Sequence, residues 1–461
     1  MGNLDKELVE EITKNRFDIF VLNSRHPNSK FIAKELEYYS NFNKTILGTI
    51  LFDYTDEDFS CVILCRDENR KFKAFDVKTD FKSIAVARKW IKRKIKDYTR
   101  NKLEVVEQGD NEKGVELFND IVAKSKMHPY YVILRDDLSK VPAKSAIIEI
   151  ANHFGDIDGN FVDQFQSVNG FDSRLWEIYL FAFLTEEGFL FDRSKFRPDF
   201  VVNKDGIEIG IEAVIVARPK NNPPTTHPST ILRITPEEVE KENSNDMPLR
   251  FGSALYSKMT KKYWEDAHLK DKPLILAIAD FHADQSMLWS FPALLGYIYG
   301  YDYPYSFNEN KELVITPKKI EPYVKPNGEL IDSGFFFTKD SENVSAILFS
   351  ATATISKFSR MGIQAGFGVK EHTVLRMGAK FNHDSNAFLP KKFAYEVNEN
   401  CTETWGEGVN LFHNPNAKYP IDIDLFPNVA HHFLIDEHIH SIYPEFHPYF
   451  SINQILIPKP K

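Results

Sequence analysis

Four acidic residues have neighbours that suit a carboxylate poorly, and any chemistry in this chain is most readily sought there. Glu177 sits in DSRLWEIYLFAFLTEE (172–187), where Leu175, Trp176, Ile178, Tyr179, Leu180, Phe181, Phe183 and Leu184 make nearly every side apolar. A lone buried carboxylate is costly unless a cation or a metal compensates it. Arg174, one helical turn earlier, is the ordinary structural partner. Glu208 and Glu212 lie in IEIGIEAVIVA (207–217). Alternation along a strand sends Ile207, Ile209, Ile211, Ala213 and Ile215 one way and Glu208, Gly210, Glu212 and Val214 the other. Exposure on an edge strand explains two glutamates on one face. It explains Glu212 less well, because five uncharged residues follow it. Asp199 stands after Arg197-Pro198, at the start of the apolar run Phe200-Val201-Val202.

The elements that must position these acids follow from the same stretch. The spacing predicts a buried helix over 172–187 with Asp172 as its N-cap. A short strand near 189–193 comes next, then a strand opened by Asp199. The turn Asn203-Lys204-Asp205-Gly206 leads into the strand 207–217. A Pro-, Thr- and Asn-rich insertion covers 218–247. The segment 249–269 predicts a helix with Leu255, Met259 and Tyr263 at i+4 spacing. Residues 273–280 (PLILAIAD) are a continuous apolar run, as in a buried parallel strand.

Helix, three strands, helix and strand, with an acid on the first helix, Pro-Asp opening the second strand and Glu on the third, resembles the PD-(D/E)xK nuclease superfamily over about 172–280. The resemblance implies a restriction-endonuclease-like αβββαβ core inside a mixed α/β protein. It implies that Glu177, Asp199 and Glu212 ligate Mg²⁺ (or Mn²⁺). Such an ion takes oxygen ligands, neutralises an anionic phosphodiester and lowers the pKa of a bound water. The family also places a Lys two residues after the last acid. Here that position is Val214, and Gly210 if Glu208 is the acid. The resemblance then points to a lysine moved to another element, Lys258 first, with Lys261 and Lys262 next. A site working without lysine, and a degenerate nuclease-fold subunit that binds nucleic acid or a partner protein without cutting, stay open. The function implied is Mg²⁺-dependent hydrolysis of DNA, of restriction or defence type.

Around this core the chain divides into an N-terminal α+β domain (1–165), the nuclease-like domain (166–300) and a C-terminal α+β extension (301–461). In the first, 46–54, 60–66 and 71–77 read as strands and 82–102 as an amphipathic helix. The outer face of that helix gathers Arg88, Lys89, Lys92, Arg93 and Lys96. This is either a solvated face or a patch that tracks nucleic-acid phosphates. A strand is expected at 130–135 (YYVILR) and another around VSAILFS (344–350).

Among 461 residues the net charge is −9, so any polyanion site is a local patch. Three cysteines exclude a disulfide scaffold and point to a reducing, cytoplasmic setting. Cys61 and Cys65 share a strand face and read as core. No signal-peptide core, myristoylation site or run of about 18 apolar residues is present, so no membrane partner is expected. A second copy or a partner protein of a multi-subunit system are the other candidate associates. The histidines of HHFLIDEHIH (431–440) lack the HExxH spacing and read as a polar surface or interface before a metal site, His413 reads as part of an Asn-Pro turn or a substrate contact, and His282 or Asp284 is a candidate for a supporting role. Gly362, Gly366 and Gly368 lack the strand–helix context of a nucleotide loop.

Overall fold

The computed structural model describes residues 8–458 except 23, 104, 108–113, 156–158, 221–223 and 226–233. Residues 221–223 and 226–233 of the Pro-rich stretch and residues 1–7 therefore lie outside the described residues. The architecture is mixed α/β, with several sheets.

The N-terminal part is a five-stranded antiparallel meander, Glu10–Glu11, Ala33–Ser40, Ile46–Asp53, Asp58–Arg66 and Phe72–Phe81 in spatial order. The helix Ile84–Arg100 lays Ala87, Trp90, Ile91 and Ile95 on one face of it. Cys61 and Cys65 are buried under that helix, as the alternation predicts. The opposite face, with Leu47, Leu64 and Phe72, joins the main core.

The main sheet has eight strands in the order 438–442, 430–435, 409–413, 346–350, 274–280, 207–216, 200–204, 190–191. Leu274–Asp280 is wholly buried and runs parallel to both neighbours, Ile207–Val216 and Ala346–Ser350. This matches its unbroken apolar sequence. The strand near 346–350 thus completes the same sheet, which draws on both sides of the domain boundary expected at 300.

Two apolar layers enclose the sheet. On one face lies the helix Phe171–Glu186, with eleven buried residues from Phe171 to Leu184, packed among Ile209, Ile211, Ile275 and Ala277. Trp176 Nε1 donates to the Ala277 carbonyl at 2.9 Å, fixing the helix along the sheet. Each fully buried Leu, Ile or Phe contributes about 1.5–3 kcal/mol, so this helix is held by packing. On the other face Met247–Met259 and Phe291–Tyr299 cover Val214, Val216, Leu276 and Ile278.

Four local expectations are corrected. Residues 129–136 form a helix, not a strand: Pro129 opens it, His128 caps it, and Tyr131 and Leu134 face the core at helical spacing. The N-cap of the acid helix is Gly170, leaving Asp172 in the first turn. The helix expected to 269 stops at Met259, because Lys262 turns into the left-handed region at φ 50°. Residues 236–246, assigned to the Pro-rich insertion, are helical, started by a capping box between Thr235 and Glu238.

The C-terminal residues add a three-stranded sheet, 391–396, 373–380 and 448–456. It is tied to the helix Ile355–Gln364 by a buried charge cluster. Glu403 meets Lys357, Arg360 and Arg376 at 2.7, 2.8 and 3.2 Å. Gly362 belongs to this packing: a Cβ there would lie 2.1 Å from the Pro142 carbonyl of the crossing helix Val141–Ala151.

Candidate active site

Strand register brings the acids together. Phe200 pairs with Ile211 in antiparallel fashion, so one step outward Asp199 faces Glu212. The pair is interlocked. The Asp199 backbone N–H donates to Glu212 Oε2 at 3.2 Å, and the Ala213 N–H donates to Asp199 Oδ2 at 2.8 Å. These bonds fix the direction of both carboxylates without using all their oxygen lone pairs.

Lys258 enters from the opposite layer. Its Nζ lies 2.5 Å from Glu212 Oε1, while Lys261 Nζ, one turn on, lies 3.9 Å from the same oxygen. Lys262 is directed elsewhere and pairs with Glu265 at 3.0 Å. Glu208, toward the other end of its strand, is held by Lys272 at 2.5 Å and takes no part.

Glu177 approaches from the buried helix. Arg174 Nη1 donates to Glu177 Oε2 at 2.6 Å, so the structural ion pair foreseen from the sequence is formed. Arg174 is itself oriented by Gln164 Oε1, 2.8 Å from its Nε. Burial nevertheless raises the Glu177 carboxyl, opposed by Arg174, with the Glu212 charge raising it further.

Asp199 is reached by solvent, whereas Glu212 and Glu177 are buried. Desolvation in the crowded cleft, then repulsion from Glu212 and Glu177, pushes its carboxyl up to about 8. Tyr263, beside Glu212, is raised too, by burial first and then by that charge. The four predicted residues Glu177, Asp199, Glu212 and Lys258 thus form one electrostatic group.

A small cleft of about 60 Å³ opens beside this group, lined by Phe161, Arg174, Glu177, Arg193, Lys195 and Asp199. That is room for a few water molecules. At its lip Phe196 is 82% exposed, flanked in sequence by Lys195 and Arg197. Sequence reasoning missed Arg193, Lys195 and Phe196. The signal was present in RSKFRPD (193–199), where basic and aromatic residues run directly into the acid.

Among the described residues no three His, Cys, Asp or Glu side chains stand close enough to cage an ion as they are. The fit to a hard divalent cation is one of donor chemistry. The donors are all oxygen, and a cation would offset the Glu212 and Glu177 charges that, after desolvation, raise the Asp199 carboxyl.

The remaining sequence candidates lie elsewhere. The basic helix packs on the N-terminal sheet. Arg88 is clamped by Glu37, Nε to Oε2 at 2.9 Å, and Lys92 sits 4.9 Å from the Tyr39 ring centre, while Lys89 and Arg93 are exposed and Lys96 is half-buried. His413 Nε2 and His431 Nδ1 are 2.9 Å apart, and His432 bonds Asn410 and Ser441. His282 Nδ1 lies 2.7 Å from Asp280 Oδ1, and Asp284 accepts from Tyr130 and Arg218.

No protein-family model, curated protein or solved structure matches this chain. No helix among the described residues is long and apolar enough to cross a membrane.

Proposed function

We propose that the chain is a Mg²⁺- or Mn²⁺-dependent nuclease of the PD-(D/E)xK type, hydrolysing DNA in a restriction or defence role in the cytoplasm. One observation carries this reading. Lys258, from a helix of the opposite layer, reaches the acid of the third strand, which sits carboxylate to backbone with the Pro-Asp acid. A lysine beside the last acid is what the missing residue at Val214 would have supplied.

Asp199 and Glu212 would hold the ion, with Glu177 available from the facing helix when Arg174 turns to substrate. A bound divalent ion supplies charge neutralisation and a more acidic water. Lys258 fixes the orientation of the Glu212 carboxylate and places a positive charge where an attacking water and a phosphate oxygen would meet. Arg174, Arg193 and Lys195 give the cleft an attraction for phosphate. Phe196, exposed between two cations, offers a face on which a nucleobase can stack.

A second reading has its own support. Lys258 and Arg174 already neutralise Glu212 and Glu177, and no ready cage exists among the described residues. A catalytically degenerate subunit that binds nucleic acid or a partner protein would look the same. Incubating the purified chain with supercoiled plasmid plus Mg²⁺ or Mn²⁺, then with EDTA, separates the two. Metal-dependent nicking lost in EDTA and in Asp199→Ala supports the nuclease. Retention of DNA without nicking under any of these conditions leaves the binding subunit.

A further inference from the structure

We propose that a second copy of this chain docks face to face on the ribbon formed by Tyr305–Phe307 and Leu313–Ile315, giving a twofold dimer. The ribbon is a two-stranded antiparallel sheet that no other strand joins among the described residues. Every residue from 305 to 316 is exposed. An isolated ribbon of this kind is marginal in water and needs a surface to cover it. Its root is fixed to the body of the protein. Tyr301–Asp302 pairs with Lys318–Lys319. The Tyr301 hydroxyl donates to Glu437 Oε1 and the Tyr303 hydroxyl to the Glu437 carbonyl, each at 3.0 Å, which ties the root to the turn between strands 430–435 and 438–442 of the main sheet.

Strand register sorts the ribbon into two unlike faces. Tyr305 lies opposite Ile315 and Phe307 opposite Leu313, so these four side chains share one face, and Ser306 and Val314 share the other. The Tyr305 and Phe307 rings are 6.2 Å apart. Phe388, from the connection between strands 373–380 and 391–396, extends the apolar face with its ring 5.7 Å from that of Phe307, and exposed Leu389 follows it. These six side chains are between 42% and 67% exposed. They present roughly 600 Å² of apolar surface, the upper end of what a monomer leaves in one patch, and a twofold axis doubles it to the roughly 1,200 Å² at which stable interfaces begin.

The charges of the ribbon decide what covers it. The four central side chains of the apolar face carry none. Glu309, Lys311 and Glu312 stand at the tip and Asp302, Lys318 and Lys319 at the root. None of these six forms an ion pair among the described residues. The ribbon is therefore neutral as a whole, with one acid in excess at the tip and one cation in excess at the root. A partner held by a field of one sign, such as a nucleic acid, finds no net charge on it. A second copy turned by a twofold axis finds a match, because an isologous contact sets each tip over the other protomer's root. Tyr305 and Ile315 of one protomer then lie over Phe307 and Leu313 of its partner.

With its root held by Glu437, the ribbon loses little freedom on docking, which leaves more of the apolar burial as affinity. The association draws on none of the carboxylate–lysine group and does not depend on the nuclease reading.

The test is sedimentation velocity of the full chain in EDTA, without nucleic acid, at concentrations up to about 100 µM. The expected result is a reversible dimer. Phe307→Ser/Leu313→Ser should weaken it about 30-fold or more, with circular dichroism confirming that these exposed substitutions leave the fold intact. Glu309→Lys/Glu312→Lys and Lys318→Glu/Lys319→Glu should each weaken the dimer. Mixing the two charge variants should restore it, because the reversed tip of one then meets the reversed root of the other. A chain that stays monomeric over the whole range overturns the proposal. So does a dimer that Phe307→Ser/Leu313→Ser leaves as strong, or a pair of charge variants that do not recover on mixing. Binding of a single-stranded oligonucleotide by a monomeric chain, lost in Phe307→Ser/Leu313→Ser, overturns it in favour of nucleic acid on the same face.

Discussion

Replacing Lys258 by Ala tests the proposed chemistry most sharply, because the structure supplies its own control. Lys258 Nζ is 2.5 Å from Glu212 Oε1, a charge-assisted hydrogen bond to a carboxylate whose side chain is only 5% exposed. Losing such a bond costs about 1.5–3 kcal/mol, which is about 10- to 150-fold if expressed in the transition state. A positioning group for the attacking water falls in the same range, about 10²-fold. Lys261 is 3.9 Å from the same oxygen, beyond hydrogen-bond reach, and its side chain is 52% exposed. An exposed pair of that kind is worth about 0.2–1 kcal/mol, so Lys261→Ala should slow cleavage less than about sixfold. The assay is single-turnover nicking of supercoiled plasmid at saturating Mn²⁺, with metal affinity measured separately by titration. Lys258→Ala should lose rate while binding metal as well as or better than the parent, since Glu212 is released from its ammonium. Equal small losses in both variants would refute the assignment of Lys258. A Lys258→Ala defect fully repaired by more metal would refute it as well.

Other outcomes follow from the same geometry. Asp199→Ala and Glu212→Ala should each abolish nicking, and Glu212→Ala should also lower the metal-free melting temperature, because it leaves the Lys258 ammonium and the Asp199 N–H without their acceptor; full activity in both would end the nuclease proposal. The raised Asp199 carboxyl has a definite sign. Its folded-state value exceeds the unfolded one, so its contribution to stability is complete below the unfolded value near pH 4 and is lost as pH rises through about 8. Asp199→Asn should therefore raise the melting temperature more at about pH 9 than at about pH 5, and apparent Mg²⁺ affinity of the parent should climb over that interval; pH-independent differences would contradict the repulsion. Lys89→Gln/Arg93→Gln/Lys96→Gln should flatten the salt dependence of DNA binding by up to about 0.9 log units per lost contact if the helix tracks phosphates, with an unchanged slope returning it to a solvated face. Phe196→Ala should weaken single-stranded DNA binding by about 1–3 kcal/mol while Phe196→Trp preserves it; equal affinities would remove the stacking role.

The site was legible where strand and helix periods bring distant residues together. Alternation along 207–216 put Glu212 on the face away from Ile209 and Ile211, and an apolar helix isolated Glu177; both features survive in the folded chain. Lys258 came from the family resemblance, which allows the lysine to move to the helix after the third strand, and its Nζ lies 2.5 Å from Glu212 Oε1. The ion pair of Arg174 with Glu177 was equally readable, from their spacing of three. Failures came where tertiary packing overrides local preference. The β-rich composition of YYVIL is helical because Pro129 and His128 start a helix and Tyr131 and Leu134 find core on one side.

The position of Leu274–Asp280, parallel to a strand on each side, sets an order on the making of this protein. Its first partner, Ile207–Val216, precedes it, but its second, Ala346–Ser350, is synthesised later. Until then a seven-residue strand without one charge before Asp280 presents a bare row of backbone donors and acceptors. Such an edge is a template for pairing with another chain. A product ending near residue 300 would carry all four members of the carboxylate–lysine group and yet expose that edge permanently. The carboxylate–lysine group is therefore complete before the strand edge beside it is covered, and the cover comes from the C-terminal third of the chain.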